Sequence, residues 1–295
     1  MIKLDKCPLC DNKNISLLLE SKDYSTSKEL FNIEKCNACS FLFTNPRPEE
    51  KKISNYYISD NYLSHTNKKE GFFSAIYQIV RKIAIRSKTK LLVRTIKPIS
   101  HLDIGCGTGE FLKSCKDKGI NVTGIEPSES ARKMAIKNYG LDIKENTDLN
   151  QFNNNTFDSV SMWHVLEHIY NIHKSVNSLS KILKNNGVAI VAVPNNKSYD
   201  SKYYKKYWAA WDLPIHINHF CPETIEKLFN NNGFTLEKKI GMKYDAFYVS
   251  ILSNEYKSGR KQYLKGFLIG LISNILAYLK IYEFSSTIYI FRNHK

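Results

Sequence analysis

Several stretches of this chain set chemically capable side chains at spacings that restrict what they can do. In Asp103-Ile104-Gly105-Cys106-Gly107-Thr108-Gly109-Glu110 an acid precedes three alternating glycines, with an apolar run before and a helical pattern after. That order reads as strand, tight turn and helix. Glycines let the backbone pass close to a ligand where a Cβ would collide, and the helix start leaves N–H groups unpaired. The third glycine falls one residue early for the dinucleotide fingerprint G-x-G-x-x-G, whose last position here is Glu110. The G-K-[ST] of a phosphate loop is absent. A cation is repelled by a helix N-terminus but tolerated beside Asp103 and bare carbonyl groups, so the acid leaves room for a positively charged ligand.

A second acid, Glu126, ends the next apolar run, and Pro127 and Ser128 follow it. Such a carboxylate stands where folds of this kind bind ribose hydroxyls. Phe157-Asp158-Ser159-Val160-Ser161-Met162-Trp163 leads into His164-Val165-Leu166-Glu167-His168. That puts His164 and His168 just past the end of a buried strand, where open α/β sheets bind ligands. Tyr199 to Cys221 is rich in aromatics and adds Asp212, His216 and His219. A long aromatic loop with histidines is more often functional than merely connecting. Finally, Cys7-Pro8-Leu9-Cys10 and Cys36-Asn37-Ala38-Cys39 form two C-x-x-C pairs. Four thiolates suit tetrahedral Zn²⁺ and leave no open position for water, so the expected zinc is structural.

The elements that must position these groups are legible in outline. From Ile99 onward strand and helix patterns alternate, which predicts an α/β, doubly wound, mostly parallel sheet with helices on both faces. The strands fall at Asn121 to Glu126, near Leu141 to Lys144, at Phe157 to Trp163, Val188 to Pro194, Phe234 to Met242 and Ser286 to Arg292. Pro222 opens a helix whose apolar face is Ile225, Leu228 and Phe229, and Gly233 closes it. The predicted organisation is a ribbon over 1–48, a helical connector or cap over 49–98, and the α/β domain over 99–295. The last carries an aromatic loop at 195–221 and a helical insertion at 245–284. Within the ribbon a hairpin is expected at Ser16 to Leu19 and Phe31 to Glu34, with an exit strand at Phe41 to Thr44.

The connector sets Phe72, Phe73, Ile76, Ile79, Val80 and Ile83 at helical spacing, followed by Arg81, Lys82, Arg86, Lys88, Lys90, Arg94 and Lys97. A cap packed on the main domain with a solvated basic face is favoured over a lipid- or nucleic-acid-binding surface. The run from Gly266 to Ala277 is uncharged and mostly apolar, too short to span a bilayer. Packing on the domain is the expectation, with peripheral membrane contact through 263–282 and dimerisation as alternatives. The formal charge of +15 points to anionic partners or to compositional drift. An apolar leader is missing and the cysteines come in ligand-like pairs, so a cytoplasmic location is expected.

Taken together, Asp103 to Gly109, Glu126, Phe157 to His168 and Trp211 to Gly233 resemble the class I S-adenosylmethionine-dependent methyltransferases, the group that includes quinone-biosynthesis O-methyltransferases. The D-L-P-x-H-x-x-H-F-x-P-E-T segment and the C-P-x-C ribbon resemble a bacterial subgroup of zinc-ribbon members that act on saccharides and secondary metabolites. The resemblance implies a seven-stranded sheet whose last strand is antiparallel. It implies cofactor binding by Asp103, Gly105, Cys106, Gly107, Thr108, Gly109, Glu126, Pro127, Asp148, Leu149, Trp163 and His164. It supplies no invariant base. Proton removal from an oxygen acceptor suits a histidine, and His216 or His219 is expected first, then His164, then His168, with Asp212 orienting. The expected acceptor is an oxygen of a small molecule or saccharide, nucleotide- or lipid-linked forms included. An RNA acceptor is the competing reading. It is disfavoured because the basic residues are dispersed, the ribbon lacks interleaved aromatics for stacking, and the Pro-Pro motif of adenine-amine and cytosine methyltransferases is missing after Trp163. A non-catalytic cofactor-binding protein is a third reading.

Overall fold

The computed structural model describes residues 1–57 and 72–294, with side chains of the first helix from residue 78 onward. The expected apolar positions Phe72, Phe73 and Ile76 therefore lie outside the described side chains.

Three antiparallel strands open the chain: β1 (Ile15–Lys22), β2 (Leu30–Cys36) and β3 (Leu42–Thr44). Helix α1 (Phe72–Thr95) connects them to the main sheet. There follow β4 (Ser100–Ile104), α2 (Glu110–Lys116), β5 (Asn121–Ile125), α3 (Glu129–Tyr139), β6 (Asp142–Lys144) and β7 (Phe157–Trp163). Next come α4 (Ile172–Ile182), β8 (Leu183–Pro194), α5 (Tyr199–Tyr204), β9 (Asn218–His219) and α6 (Pro222–Asn230). The chain ends with β10 (Phe234–Gly241), α7 (Asp245–Ser258), α8 (Tyr263–Tyr278) and β11 (Ser286–Asn293).

Seven strands form one sheet in the order β10-β11-β8-β7-β4-β5-β6. β8, β7, β4, β5 and β6 run parallel, and β11 is antiparallel to both β8 and β10. This is the predicted sheet. The two-residue alternation of strand side chains divides its core. Val188, Ile190, Ala192, Ile288 and Ile290 meet Leu92, Phe111 and Cys115 on one face. Ala189, Val191, Val193, Tyr289 and Phe291 meet Val176, Leu179, Ile225, Leu228 and Phe229 on the other. That second cluster continues into the ribbon through Cys7, Cys36, Phe41 and Phe43.

Two local departures from the predicted pattern have clear causes. β8 starts earlier than Val188, because Leu183 pairs with Phe157 before the register shifts. The aromatic segment is more ordered than a loop. Ser198 caps α5, and buried Asp200 accepts hydrogen bonds from Trp208 Nε1, Ser273 and Ser285. Tyr204, Trp208, Trp211 and Leu213 then pack with Phe31, Ile33 and Leu42 of the ribbon. The segment ends in β9, which pairs with β3 and completes a four-stranded sheet β1-β2-β3-β9.

Candidate active site

The turn between β4 and α2 holds Gly105, Gly107 and Gly109 all at positive φ. A Cβ on Gly109 would lie 2.7 Å from Leu141 Cδ1 and 2.9 Å from Ala135 Cβ, so this glycine lets α2 pack on α3. Gly107 has no neighbour within 4 Å of an added Cβ, an open cradle at the turn's apex. Beside it, Gly107 N–H donates to Glu126 Oε2 at 2.8 Å, and Ser128 N–H donates to Glu126 Oε1 at 2.9 Å. Two backbone donors thus fix the carboxylate against the cradle, and Pro127 follows it at the surface.

Asp103 lies inside the turn, 2% exposed, and accepts a hydrogen bond from Ser161 Oγ. Ser161 and Ser159 also bond the two nitrogens of buried His101 at 3.0 and 2.8 Å. Burial pushes the Asp103 carboxyl up to about 7, with Ser161 and Lys88 opposing the shift. A carboxyl held near neutrality in a closed site gains most from an arriving cation, which restores its charge. Open space at Gly107, an oriented Glu126 and a cation-seeking Asp103 together fit a ligand with ribose hydroxyls and a positive charge. That is the chemistry of S-adenosylmethionine.

The other expected cofactor positions also have local partners in the described molecule. Asp148 accepts from Asn150 N–H and caps a short 3₁₀ turn, and Leu149 is buried under it. Trp163 packs edge-on against Phe111 and lies under Lys88, whose Nζ is 4.3 Å from the ring centroid. Cys106 is buried with Leu112, Ala135 and Leu141. Thr108 Oγ1 donates to Glu110 at 2.7 Å and accepts from Arg81, which also ion-pairs with Glu110 at 2.7 Å. Arg81 and Lys88 were read as part of a solvated basic face. Both instead turn toward the glycine turn and β7, and they pin α1 across this end of the sheet.

At the C-terminal end of β7 the titratable groups converge. His164 takes a positive φ of 59° and faces Glu167 Oε1 at 3.3 Å and Asp245 Oδ2 at 3.2 Å. Burial alone would lower its pKa, but pairing with the Asp245 and Glu167 carboxylates outweighs this and raises it to about 9. His164 is therefore an imidazolium at neutral pH, bridging two carboxylates. Both of those are held below the ordinary range by His164 in spite of their burial. Glu167 is 1% exposed, and neither of its oxygens accepts a hydrogen bond among the described residues.

Two further histidines lie close to Glu167: His168 beside it in the same short turn, and His216 from the aromatic segment. His216 donates from Nδ1 to Ala210 O at 2.9 Å, and its Nε2 is 3.8 Å from Asp212 Oδ2. His168 bonds Ile215 O through Nδ1 at 2.9 Å, and its ring meets His216 edge-on at 4.7 Å. Burial lowers both pKa values, that of His168 to about 4, so both rings are neutral. Burial also lifts Asp212 to about 6. One ligand atom each from Glu167, His168 and His216 lies within 4.8 Å of the others, a donor set that a cation could use. His219 is set apart: its Nε2 bonds Thr44 Oγ1 at 3.0 Å, and its ring packs edge-on against Trp211.

The ribbon holds this cluster in place. Thr44 Oγ1 donates to His216 O at 2.8 Å, Thr44 N–H donates to Ile217 O at 3.1 Å, and Ile217 N–H donates to Glu167 O at 3.0 Å. At the ribbon's far end the Sγ atoms of Cys7 and Cys39, and those of Cys10 and Cys36, are 3.6 Å apart. Four sulfurs about 2.3 Å from one ion would stand about 3.8 Å apart at tetrahedral corners, so the four thiols fit a metal of that geometry. Sequence reasoning missed Arg81, Lys88, Thr44 and Asp245. Only the first two carried a signal, as cations spaced seven apart on one helix face.

A profile of the family described as a methyltransferase domain matches residues 77–239. The chain is 25% identical over 190 residues to a ubiquinone biosynthesis O-methyltransferase of Rickettsia bellii, covering 60% of this chain and 79% of that protein. It is 32% identical over 206 residues to the enzyme of the same name from Rickettsia typhi, covering 64% and 80%. The fold is similar to that of magnesium protoporphyrin IX methyltransferase from Synechocystis, solved with bound S-adenosylhomocysteine. The TM-score is 0.55 at 14% identity, over 83% of this chain and all of the other.

Proposed function

This chain belongs to the class I S-adenosylmethionine-dependent methyltransferases, and we propose that its acceptor is an oxygen atom of a small molecule. The observation that carries the proposal is a neutral histidine of fixed tautomer beside carboxylates at the C-terminal end of β7. His216 spends its Nδ1–H on Ala210 O, which leaves the Nε2 lone pair on the side of Asp212, 3.8 Å from Oδ2. When bound, S-adenosylmethionine supplies an electrophilic methyl group on a positively charged sulfur. Glu126 and the Gly107 cradle orient the ribose end, and Asp103 answers the positive charge. The acceptor hydroxyl gives its proton to His216 Nε2, and Glu167 and Asp212 stabilise the imidazolium that forms. His168 lines the same wall. His219, whose Nε2 is engaged with Thr44, and His164, already protonated, act as supports. The relatives named as O-methyltransferases support oxygen as the acceptor atom. The D-L-P-x-H-x-x-H-F-x-P-E-T segment beside a cysteine ribbon supports a saccharide or secondary-metabolite scaffold. The metal assigned to Cys7, Cys10, Cys36 and Cys39 is structural zinc.

The test uses methyl-labelled S-adenosylmethionine with two acceptor pools, total RNA and an RNA-free extract of glycans, lipids and their precursors. Label in the extract and none in RNA is expected, and label in RNA alone refutes the reading. His216→Asn keeps a donor for Ala210 O and removes the base. It should lower turnover far more than cofactor affinity, and equal loss of both would remove His216 from this role.

A further inference from the structure

Helix α8 carries its side chains the reverse way for a helix on a water-facing surface. Its buried face is Gly266, Ile269, Gly270, Ser273, Asn274 and Ala277. Its outward face is Leu264, Phe267, Leu268, Leu271, Ile272 and Ile275, each between 39% and 74% exposed. These six recur at i, i+3, i+4, i+7, i+8 and i+11, one unbroken apolar stripe. Packing fixes the orientation. A Cβ on Gly266 would lie 2.6 Å from Ile251 Cα, and one on Gly270 would lie 2.8 Å from Phe247 Cα, so the glycines hold α8 hard against α7. Ser273 donates to Asp200 at 2.8 Å and Asn274 to Lys243 O at 2.8 Å, tying the polar face inward.

The surroundings of the stripe identify what covers it. From Tyr256 to Tyr282 the chain has no acidic residue, and Lys257, Arg260, Lys261, Lys265 and Lys280 are all exposed around the stripe's two ends. An apolar face with a cationic rim is the pattern of a helix lying in the plane of an anionic lipid surface. At 1.5 Å per residue, the 16 residues of α8 span about 24 Å. No described helix is long and apolar enough to cross a membrane, so the contact is lateral. A second copy packed on the stripe about a two-fold axis would set this cationic rim against itself.

We propose that α8 seats the protein on an anionic lipid bilayer. The hairpin it belongs to is rooted in the candidate site, because Asp245, the first residue of α7, faces His164. A protein seated this way meets acceptors whose apolar part resides in the bilayer. That statement about the acceptor rests on the methyltransferase reading, whereas the lipid contact does not.

The experiment sediments the full chain with vesicles of phosphatidylcholine alone and of phosphatidylcholine mixed with phosphatidylglycerol. Binding to the mixed vesicles, weakened by salt, is expected. Leu268→Asp with Ile272→Asp, both at exposed positions, should cut partitioning at least tenfold. Lys261→Gln with Lys265→Gln should cut it about fivefold per charge removed. Absence of binding to either vesicle overturns the proposal. So does a dimer, seen by light scattering, that Ile272→Asp dissolves. Vesicle binding by a protein that fails to bind S-adenosylmethionine in calorimetry would uphold the lipid contact and refute the enzymatic reading.

Discussion

Thr44→Val isolates the link between ribbon and site. The Thr44 hydroxyl is fully buried and has two partners. It donates its single hydrogen to His216 O at 2.8 Å, so the 3.0 Å contact with His219 must run from Nε2–H to the hydroxyl oxygen. Valine has nearly the same shape and removes both bonds. A buried carbonyl and a buried ring N–H then lack partners, each costing about 1–3 kcal/mol. A loss near 3 kcal/mol is expected in urea unfolding. Because His216 is the displaced residue, turnover should fall as well, while affinity for S-adenosylmethionine in calorimetry stays within about threefold, a change worth less than 1 kcal/mol. Thr44→Ser keeps the hydroxyl and should restore most of both quantities. Unfolding within about 0.5 kcal/mol of the parent, the range of an ordinary surface substitution, would show that the two bonds do not hold the segment and refute the reasoning.

Three further expectations follow from the same geometry. Glu126→Gln removes the charge that faces the cradle and should weaken S-adenosylmethionine binding about ten- to a hundredfold, as loss of a charge-assisted hydrogen bond implies. Unchanged affinity in calorimetry would exclude Glu126 from the cofactor site. Removing the metal with a strong chelator should abolish turnover and the ribbon's contribution to circular dichroism together, with metal content measured on the same samples. Turnover that survives complete stripping would sever the ribbon from the site. His164 is raised in the folded state to about 9 from 6.5 by Asp245 and Glu167. Its stabilising contribution is therefore complete below pH 6.5 and is lost as pH rises through 9. The urea midpoint should drop between pH 7 and 10, and by less in His164→Gln, with an equal drop in both showing that His164 does not carry the effect.

What the sequence made legible was local. The glycine turn, the strand Phe157–Trp163, the helix opened by Pro222 and the paired cysteines each carry their signal within a dozen residues, and each stands where expected. Features that depend on distant partners were not legible. Nothing in the spacing of Asn218 and His219 announces that two residues will complete the ribbon's sheet, because strand pairing is decided by what edge is available. Asp245 shows no motif, yet it reaches His164 across 81 positions of sequence. Arg81 and Lys88 looked like surface cations because a helical pattern cannot say which face an absent neighbour will cover. Trp163 was expected at the cofactor, and nothing in the spacing showed that Phe111 and Lys88 would pack on it as well.

The pairing of β3 with β9 also sets an order of assembly. Thr44 and His219 are 175 residues apart in the chain, whereas Cys7 and Cys39 are separated by 32. Short loops close sooner than long ones, and the N-terminus leaves the ribosome first. The four cysteines can therefore meet the proposed metal while most of the main sheet is still unsynthesised. Until residues 217–219 emerge, the edge of β3 that they pair with stays free. An open strand edge is also a template for the wrong partner. The hazard is confined to the interval before residues 217–219 arrive to cover that edge.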